Sequence, residues 1–329
     1  MIPDKIKQLS SAAYTSFAFL AGMKLNLFTI LSQKQSTPKH LAKTMCVKEN
    51  HIERLLYALV SVGLLRLENG TFLNTEEAEQ YLVKGKPDYL GNHVYVNPGL
   101  NYGNWGSAVH IADSIRTGEP QDYYDFTLAT YEQHFETFKG TMPVAVKAGE
   151  DLAKWFDFTD YRTVVDIGGA SGGLALSLVK AYPHLEAKVA DLPSIVPVAR
   201  TLLSEAGAET IEVFPCDIVE SPIQESFDVA VLRAVIQVLS PEQAEKAVRH
   251  VAESINSGGY MIILGHVLDD SRISPVEEVG MNLIYLNWGY DIGCYTRTQY
   301  REWMLGSGLF DVRFGSLPNG DRIITAKKP

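Results

Sequence analysis

Cysteine is scarce in this sequence, with only Cys46, Cys216 and Cys294. They are odd in number and far apart, and no histidine pair has metal-ligand spacing, so a disulfide framework and a metal site are not expected. Positive charge is also short. Lys and Arg number 29 against 39 Asp and Glu, a net charge of −10, whereas binding to nucleic acid is driven by neutralising phosphates. Residues 1–100 depart from this trend with 11 Lys and Arg against 8 Asp and Glu, so the remainder carries the acidic excess. No apolar run is long enough to span a membrane, and the opening MIPDKIKQLSSAAYTSFAFLAGM has no cleavage pattern. Neither a nucleic-acid nor a membrane partner is expected, and the location expected is cytoplasmic. Internal repeats and low-complexity segments are missing too. What is present is 46% hydrophobic residues over 329 positions, enough for two domains with cores of their own.

Residues 9–32 read as a helix or helix pair that is apolar on nearly every side, which suits a surface packed against a second copy of the chain. The following stretch gives two short helices and a hairpin with Asn69-Gly70 at its tip, a winged-helix pattern. Glu49 and Glu53 beside Lys48 and Arg54 make its second helix a poor surface for phosphates, so dimerisation is preferred to DNA reading. Residues 100–158 are helical and aromatic. From Thr163 onward TVVDIG, AKVAD, IEVFPCD, FDVAVLRA and YMIILGHV alternate with amphipathic stretches, and VRFGSLPNGDRIITAKK closes the chain as two strands around Asn319-Gly320. The fold class expected is α/β: a Rossmann-like doubly wound sheet with a C-terminal antiparallel hairpin, preceded by a helical winged-helix dimerisation domain. Domain bounds are placed at 1–100, 101–158 (a helical layer covering the acceptor) and 159–329. Ser240 in SPEQ and Ser274 in SPVE are read as helix caps.

The stretch TVVDIGGASGGLALSL, residues 163–178, runs strand, glycine turn, helix. A phosphate-cradling P-loop would need Lys then Ser or Thr where Leu-Ala follows Gly172-Gly173, and a dinucleotide turn would need glycine at Ala170. S-adenosylmethionine asks for something else: close backbone approach at Gly168 and Gly169, and a carboxylate, here Asp166, to favour its positive charge. Asp191 after the second strand has acceptor oxygens for two ribose hydroxyls, and Asp217 after the third can accept from an adenine amino group. Each aspartate alone is equally a helix cap or a solvated turn residue. Three at successive strand ends are harder to assign to capping.

VVDIGGASGGLALSLVKAYPHLEAKVADLP closely resembles the cofactor segment of the plant-type class I S-adenosylmethionine-dependent O-methyltransferases, the group of caffeic acid and acetylserotonin O-methyltransferases and their bacterial members. AAYTSFAFLAGMKLNLFTIL and HIERLLYALVSVGLL are similar to that family's dimerisation domain. NWGSAVHIADSIRTGEP and HFETFKGTM are similar to its acceptor-covering layer, and YTRTQYREWMLGSGLFDV to its penultimate helix and strand. The resemblance implies a homodimer, an acceptor pocket between the domains, and cofactor contacts from Gly168, Asp191, Leu192, Asp217, Ile218 and Arg233, with Met142 near the methionine part.

One departure stands out. The family's base is a histidine in a segment L-H-D-W after the fourth strand, and the matching stretch here, LRAVIQVLSPEQ, puts Gln237 at that place. An amide has no useful basicity. Gly265 and Thr296 stand where acidic residues flank the family's histidine. General base catalysis is worth about 10²- to 10⁴-fold, while orientation supplies roughly 7–11 kcal/mol. Methyl transfer is therefore expected to survive through proximity and an acceptor that ionises readily, with Gln237 orienting the acceptor or merely filling space. His266, at the carboxyl end of the fifth strand, is the candidate for a replacement base, ahead of His110 and His134. Trp105, Asn282, Tyr285, Trp288 and Tyr290 suit a flat, aromatic or conjugated acceptor. The alternatives are a relative that keeps the cofactor for hydroxylation or rearrangement, and a winged-helix ligand sensor.

Overall fold

The computed structural model describes residues 3–91, 110–318 and 320–329. The chain divides into two compact units, Met1–Gly103 and Asn104–Pro329.

In the first unit the apolar N-terminal stretch is a helix pair. Helix α1 spans Asp4–Lys24 and α2 spans Leu27–Gln33; the break falls at Asn26, whose left-handed backbone (φ 54°) is tolerated by its short polar side chain. Thr37 accepts from the His40 N–H and Pro38 opens the first turn, which starts α3 (Pro38–Met45). Helix α4 (Glu49–Ser61) and the hairpin β1 (Leu65–Glu68) and β2 (Thr71–Asn74) complete a winged-helix arrangement. Asn69 and Gly70 are both left-handed, as a two-residue hairpin turn requires. A short helix α5 (Glu76–Tyr81) follows. Leu27, Phe28, Leu41, Leu56, Leu59 and Phe72 form the core. Ile6, Leu9, Tyr14 and Phe17 of α1 stay exposed. Among the described residues no single helix is long and apolar enough to cross a membrane.

The second unit opens with α6 (Ile111–Thr117) and the long helix α7 (Tyr131–Trp155), begun by a capping box between Thr130 and Gln133. The expected alternation follows as β3 (Thr163–Ile167), α8 (Gly173–Ala181), β4 (Glu186–Asp191), α9 (Val196–Glu205), β5 (Glu212–Pro215), β6 (Phe227–Arg233), α10 (Pro241–Glu253) and β7 (Ile255–Gly265). After the short pair β8 (Val267–Leu268) and β9 (Tyr295–Thr296), separated by α11 (Val276–Ile284), come α12 (Arg297–Gly306), β10 (Phe310–Ser316) and β11 (Arg322–Lys327). The sheet order is β10-β11-β7-β6-β3-β4-β5, parallel from β5 to β7, with β11 antiparallel to both neighbours. The order reverses between β3 and β6, and ligands of doubly wound sheets bind in the crevice beyond such a switch point.

Both faces of the sheet are covered, and β3, β6 and the second half of β7 read as near-continuous apolar runs for that reason. Helices α7 and α8 pack so closely that a Cβ on Gly149 would lie 2.8 Å from the Leu174 carbonyl oxygen, so only glycine fits there. Ser240 caps α10 in a capping box with Gln243, as its sequence suggests. Ser274 does not cap α11. The cap position belongs to Pro275, and the Ser274 hydroxyl donates instead to the Asp269 carboxylate at 2.7 Å, a charged acceptor that competes with the helix amides. The turn of the C-terminal hairpin is closed by Leu317 N–H donating to Asp321 O at 2.8 Å; Asn319 lies outside the described residues.

Candidate functional site

The loop after β3 is built from left-handed residues. Gly168 (φ 64°), Ala170 (φ 48°) and Gly172 (φ 71°) turn the chain from the strand into α8 within five positions. A Cβ on Gly168 would lie 2.5 Å from Val235, and one on Gly169 2.7 Å from the Asp166 carboxyl group. These glycines therefore cannot be replaced without moving the floor of the crevice. Ala170 takes a conformation that costs an L-residue roughly 1–2 kcal/mol. Its N–H is held at 2.7 Å by Asp191 Oδ2, the carboxylate at the end of β4. Asp191 Oδ1 accepts from the Leu192 N–H at 2.8 Å, so each oxygen keeps one acceptor site.

Asp166 is fully buried; neither carboxyl oxygen has a partner in full hydrogen-bond geometry, and the Ala175 amide lies close enough only to favour the charged form. Burial raises its pKa to about 7, opposed by the Arg233 guanidinium and reinforced by Asp191. Burial also raises Asp191 to about 6, against the pull of the Ala170 and Leu192 amides. Arg233, at the end of β6, has an Nε without a hydrogen-bond partner, 4.0 Å from Asp321. Buried polar groups left without partners are costly, and this crevice holds both carboxyl acceptors and a guanidinium donor in that state. Asp217, just beyond β5, accepts from the Val219 N–H at 3.0 Å. Ile218 is buried against Ile167 and Ala190 at the strand ends. Met142 reaches the loop from α7, its carbonyl oxygen 3.0 Å from where a Cβ on Gly173 would stand, and its side chain packs in the same cluster as Leu192.

The other candidates gather beyond β6 and β7. Gln237 is 2% exposed and its Oε1 has no donor. A Cβ on Gly265 would lie 2.9 Å from that oxygen, so the missing side chain at 265 makes the room that the amide fills. The Gln237 carbonyl accepts from the Gly293 N–H at 3.0 Å. His266 Nδ1 and Glu278 Oε2 share a hydrogen bond of 2.6 Å. Tyr285 packs edge-on against both Trp288 (5.1 Å) and His266 (6.1 Å). Asn282 Oδ1 accepts from the Cys294 N–H at 2.8 Å and holds the Gly293-Cys294 backbone. Tyr290 is exposed and bonds to Glu119 through its hydroxyl, apart from the Tyr285–Trp288 pair. His134 is buried, bonded to Tyr124 and stacked on Phe138, and burial lowers its pKa. His110 is exposed beside Asp113. Trp105 lies outside the described residues.

Two residues escape a reading of the sequence. Asn287 is fully buried, takes the Ser114 hydroxyl on its side chain, and accepts the Asp122 N–H on its carbonyl at 2.8 Å, tying the α6 segment to the end of α11. Glu278 is buried between His266 and Arg322, whose Nε lies 3.6 Å from Glu278 Oε1. Its signal was available. Glu278, Asn282 and Tyr285 are spaced four and three residues apart, one face of a helix. His266, Glu278 and the Cys294 thiol also lie within 4.8 Å of one another, a grouping that spacing along the chain could not reveal.

Residues 110–306 match the O-methyltransferase domain and residues 7–84 the O-methyltransferase dimerisation domain. Among curated proteins, 3-hydroxy-5-methyl-1-naphthoate 3-O-methyltransferase of Streptomyces sahachiroi is 25% identical over 315 residues, covering 94% of this chain and 90% of its own. The N,N-dimethyltransferase OxyT of Streptomyces rimosus is 27% identical over 342 residues, covering 98% and 95%. Human N-acetylserotonin methyltransferase, solved with S-adenosylmethionine, superimposes with a TM-score of 0.82 at 22% identity over 99% of this chain and 98% of that one, a likeness of fold. With both of its domains matched in order, the chain belongs to the plant-type class I O-methyltransferase family, as a bacterial-type member.

Proposed function

We propose that this protein transfers a methyl group from S-adenosylmethionine to a small aromatic acceptor, with a hydroxyl the preferred target and an amine the second. The observation that carries the reading is the pair of buried acids at the ends of adjacent strands, Asp166 and Asp191, around a left-handed glycine turn at the sheet's switch point. The residues fit the cofactor. Asp191 would hold the ribose hydroxyls with the acceptor sites its carboxylate retains, Asp217 the adenine amino group, and Asp166 with the Gly168-Gly169 backbone the amino-acid end. Ile218, Leu192 and Met142 would supply apolar walls. When bound, S-adenosylmethionine supplies a methyl carbon activated by a sulfonium leaving group.

The protein's share of the work is to hold the acceptor in line and exclude water. Gln237 supports that role: its buried oxygen lacks a donor, and an acceptor N–H or O–H would satisfy it. Gln237→Ala is expected to cost no more than about 1–2 kcal/mol in kcat/KM, the scale of one neutral hydrogen bond. A loss many times larger would place it in a role other than orientation. The two relatives, one named for O-methylation of a naphthoate and one for N,N-dimethylation, support an aromatic acceptor without fixing the atom. The match to the dimerisation domain supports a homodimer.

The raised acids give a test by proton linkage. A cation held beside Asp166 and Asp191 favours their charged forms, so binding of S-adenosylmethionine should release protons at and below neutral pH and tighten as pH rises through about 6 and about 7, levelling off above. By the same linkage, the unliganded fold is favoured at low pH and loses that contribution as pH rises through about 6 and about 7. Calorimetry in two buffers of different ionisation heat reads the release. Equal heats in both buffers, with pH-independent affinity, would contradict the assignment.

A further inference from the structure

The family's base is absent at Gln237, yet one strand over the structure assembles the parts of another. We propose that His266 takes the proton from the acceptor hydroxyl and that Glu278 is the residue that positions it, so the base has moved from the turn after β6 to the end of β7. This inference rests on the methyl-transfer reading above.

A carboxylate can only accept, so the contact of 2.6 Å between Glu278 Oε2 and His266 Nδ1 puts the imidazole proton on Nδ1. In the neutral ring Nε2 is then the basic nitrogen. Glu278 is buried on α11, and the Arg322 guanidinium from β11 lies behind it at 3.6 Å, a compensating charge for a carboxylate out of water. The backbone of His266 is fixed as well, by the Tyr300 hydroxyl from α12 at 3.4 Å from its carbonyl oxygen. Tyr285 lies edge-on to the ring, and Cys294 completes the surroundings. A base, an acid that orients it, and a counter-charge for the acid are the elements that general-base sites share. They stand beside the aromatic pair Tyr285–Trp288, and Gly265, which makes room for the Gln237 amide, is the residue before His266.

The proton step balances within the protein. The acceptor O–H bond breaks as an N–H bond forms at Nε2, and the oxygen keeps the electron pair it then shares with the methyl carbon. The imidazolium is stabilised by Glu278 and returns its proton to solvent. A metal held by His266, Glu278 and Cys294 is the competing use of the same cluster. It is disfavoured because the guanidinium already faces Glu278 and because burial pushes the Cys294 thiol well above its ordinary value, away from the thiolate a metal prefers.

Nitrogen-15 NMR of histidine-labelled protein, with S-adenosylhomocysteine bound and no acceptor, reads the ring directly. The account expects the His266 signal in the Nδ1–H tautomer, and a titration midpoint that falls in Glu278→Gln and returns in Glu278→Asp. Turnover of a hydroxynaphthoate with saturating S-adenosylmethionine should show a pH dependence that His266→Asn abolishes and Glu278→Gln alters. Unchanged S-adenosylhomocysteine affinity in both variants shows that the fold and the cofactor site persist. An Nε2–H tautomer, a midpoint indifferent to Glu278→Gln, or one equivalent of tightly held zinc in the purified protein would overturn the assignment. Failure of wild type to bind S-adenosylhomocysteine would overturn the methyl-transfer reading instead.

Discussion

Asp191→Ala is expected to weaken S-adenosylhomocysteine binding by at least about 10- to 150-fold, the loss of one hydrogen bond to a charged group worth about 1.5–3 kcal/mol. The true loss should lie toward the upper end or beyond it, because Asp191 has two tasks. Its oxygens would grip the ribose, and they also hold the Ala170 and Leu192 amides at 2.7 and 2.8 Å. Without the first of these, Ala170 has no reason to keep its left-handed backbone at φ 48°, and the glycine loop relaxes. Asp191→Asn retains one acceptor oxygen and should fall between wild type and Ala. Calorimetry on the three proteins, with circular dichroism to confirm folding, decides this. Affinity unchanged in Asp191→Ala would remove the ribose assignment.

Leu9→Glu combined with Tyr14→Glu should turn a homodimer into monomers at micromolar concentration. Leu9 is 63% exposed and Tyr14 75%, and with Ile6 they leave a run of large apolar side chains on α1 exposed in the single chain. Burying a side chain of this kind contributes about 1.5–3 kcal/mol, and a buried unpaired carboxylate adds a penalty of its own. Across a symmetric interface each change is counted twice. The lower half of α1 stays intact in this variant: Leu20 is buried, and a Cβ on Gly22 would already lie 3.1 Å from Phe28. The monomers should therefore remain folded. Sedimentation that shows wild type as a monomer, or the double variant as an unchanged dimer, would contradict the assignment of this surface.

Much of this was legible in the sequence, for identifiable reasons. Strands β3, β6 and β7 are buried on both faces, so their apolar runs announce them, and Ser240 and Asn69-Gly70 punctuate the chain through local chemistry. Asp166 and Asp191 were legible because each sits at a strand end in an ordered alternation. Ser274 misled because a capping pattern cannot show that Asp269 lies within reach of the same hydroxyl. The contact between Asn282 and the Cys294 N–H was not legible, since only the fold brings them together. Glu278 was missed because its value depends on His266, twelve positions earlier, and on Arg322, on a strand that reaches Gly265 only through antiparallel pairing. The sequence favoured acceptor ionisation without a base. The geometry around His266 shifts that expectation toward a relocated one.

The central claim is that this chain moves a methyl group although Gln237 stands where its family keeps a histidine. The most direct measurement incubates the purified homodimer with S-adenosylmethionine carrying an isotopically labelled methyl group and a panel of hydroxylated and aminated aromatic acceptors, and follows product mass together with S-adenosylhomocysteine. The account predicts one labelled methyl group in the product for each S-adenosylhomocysteine formed. A product that gains oxygen or rearranges while the cofactor stays intact, or a cofactor bound but never consumed across the panel, would contradict it.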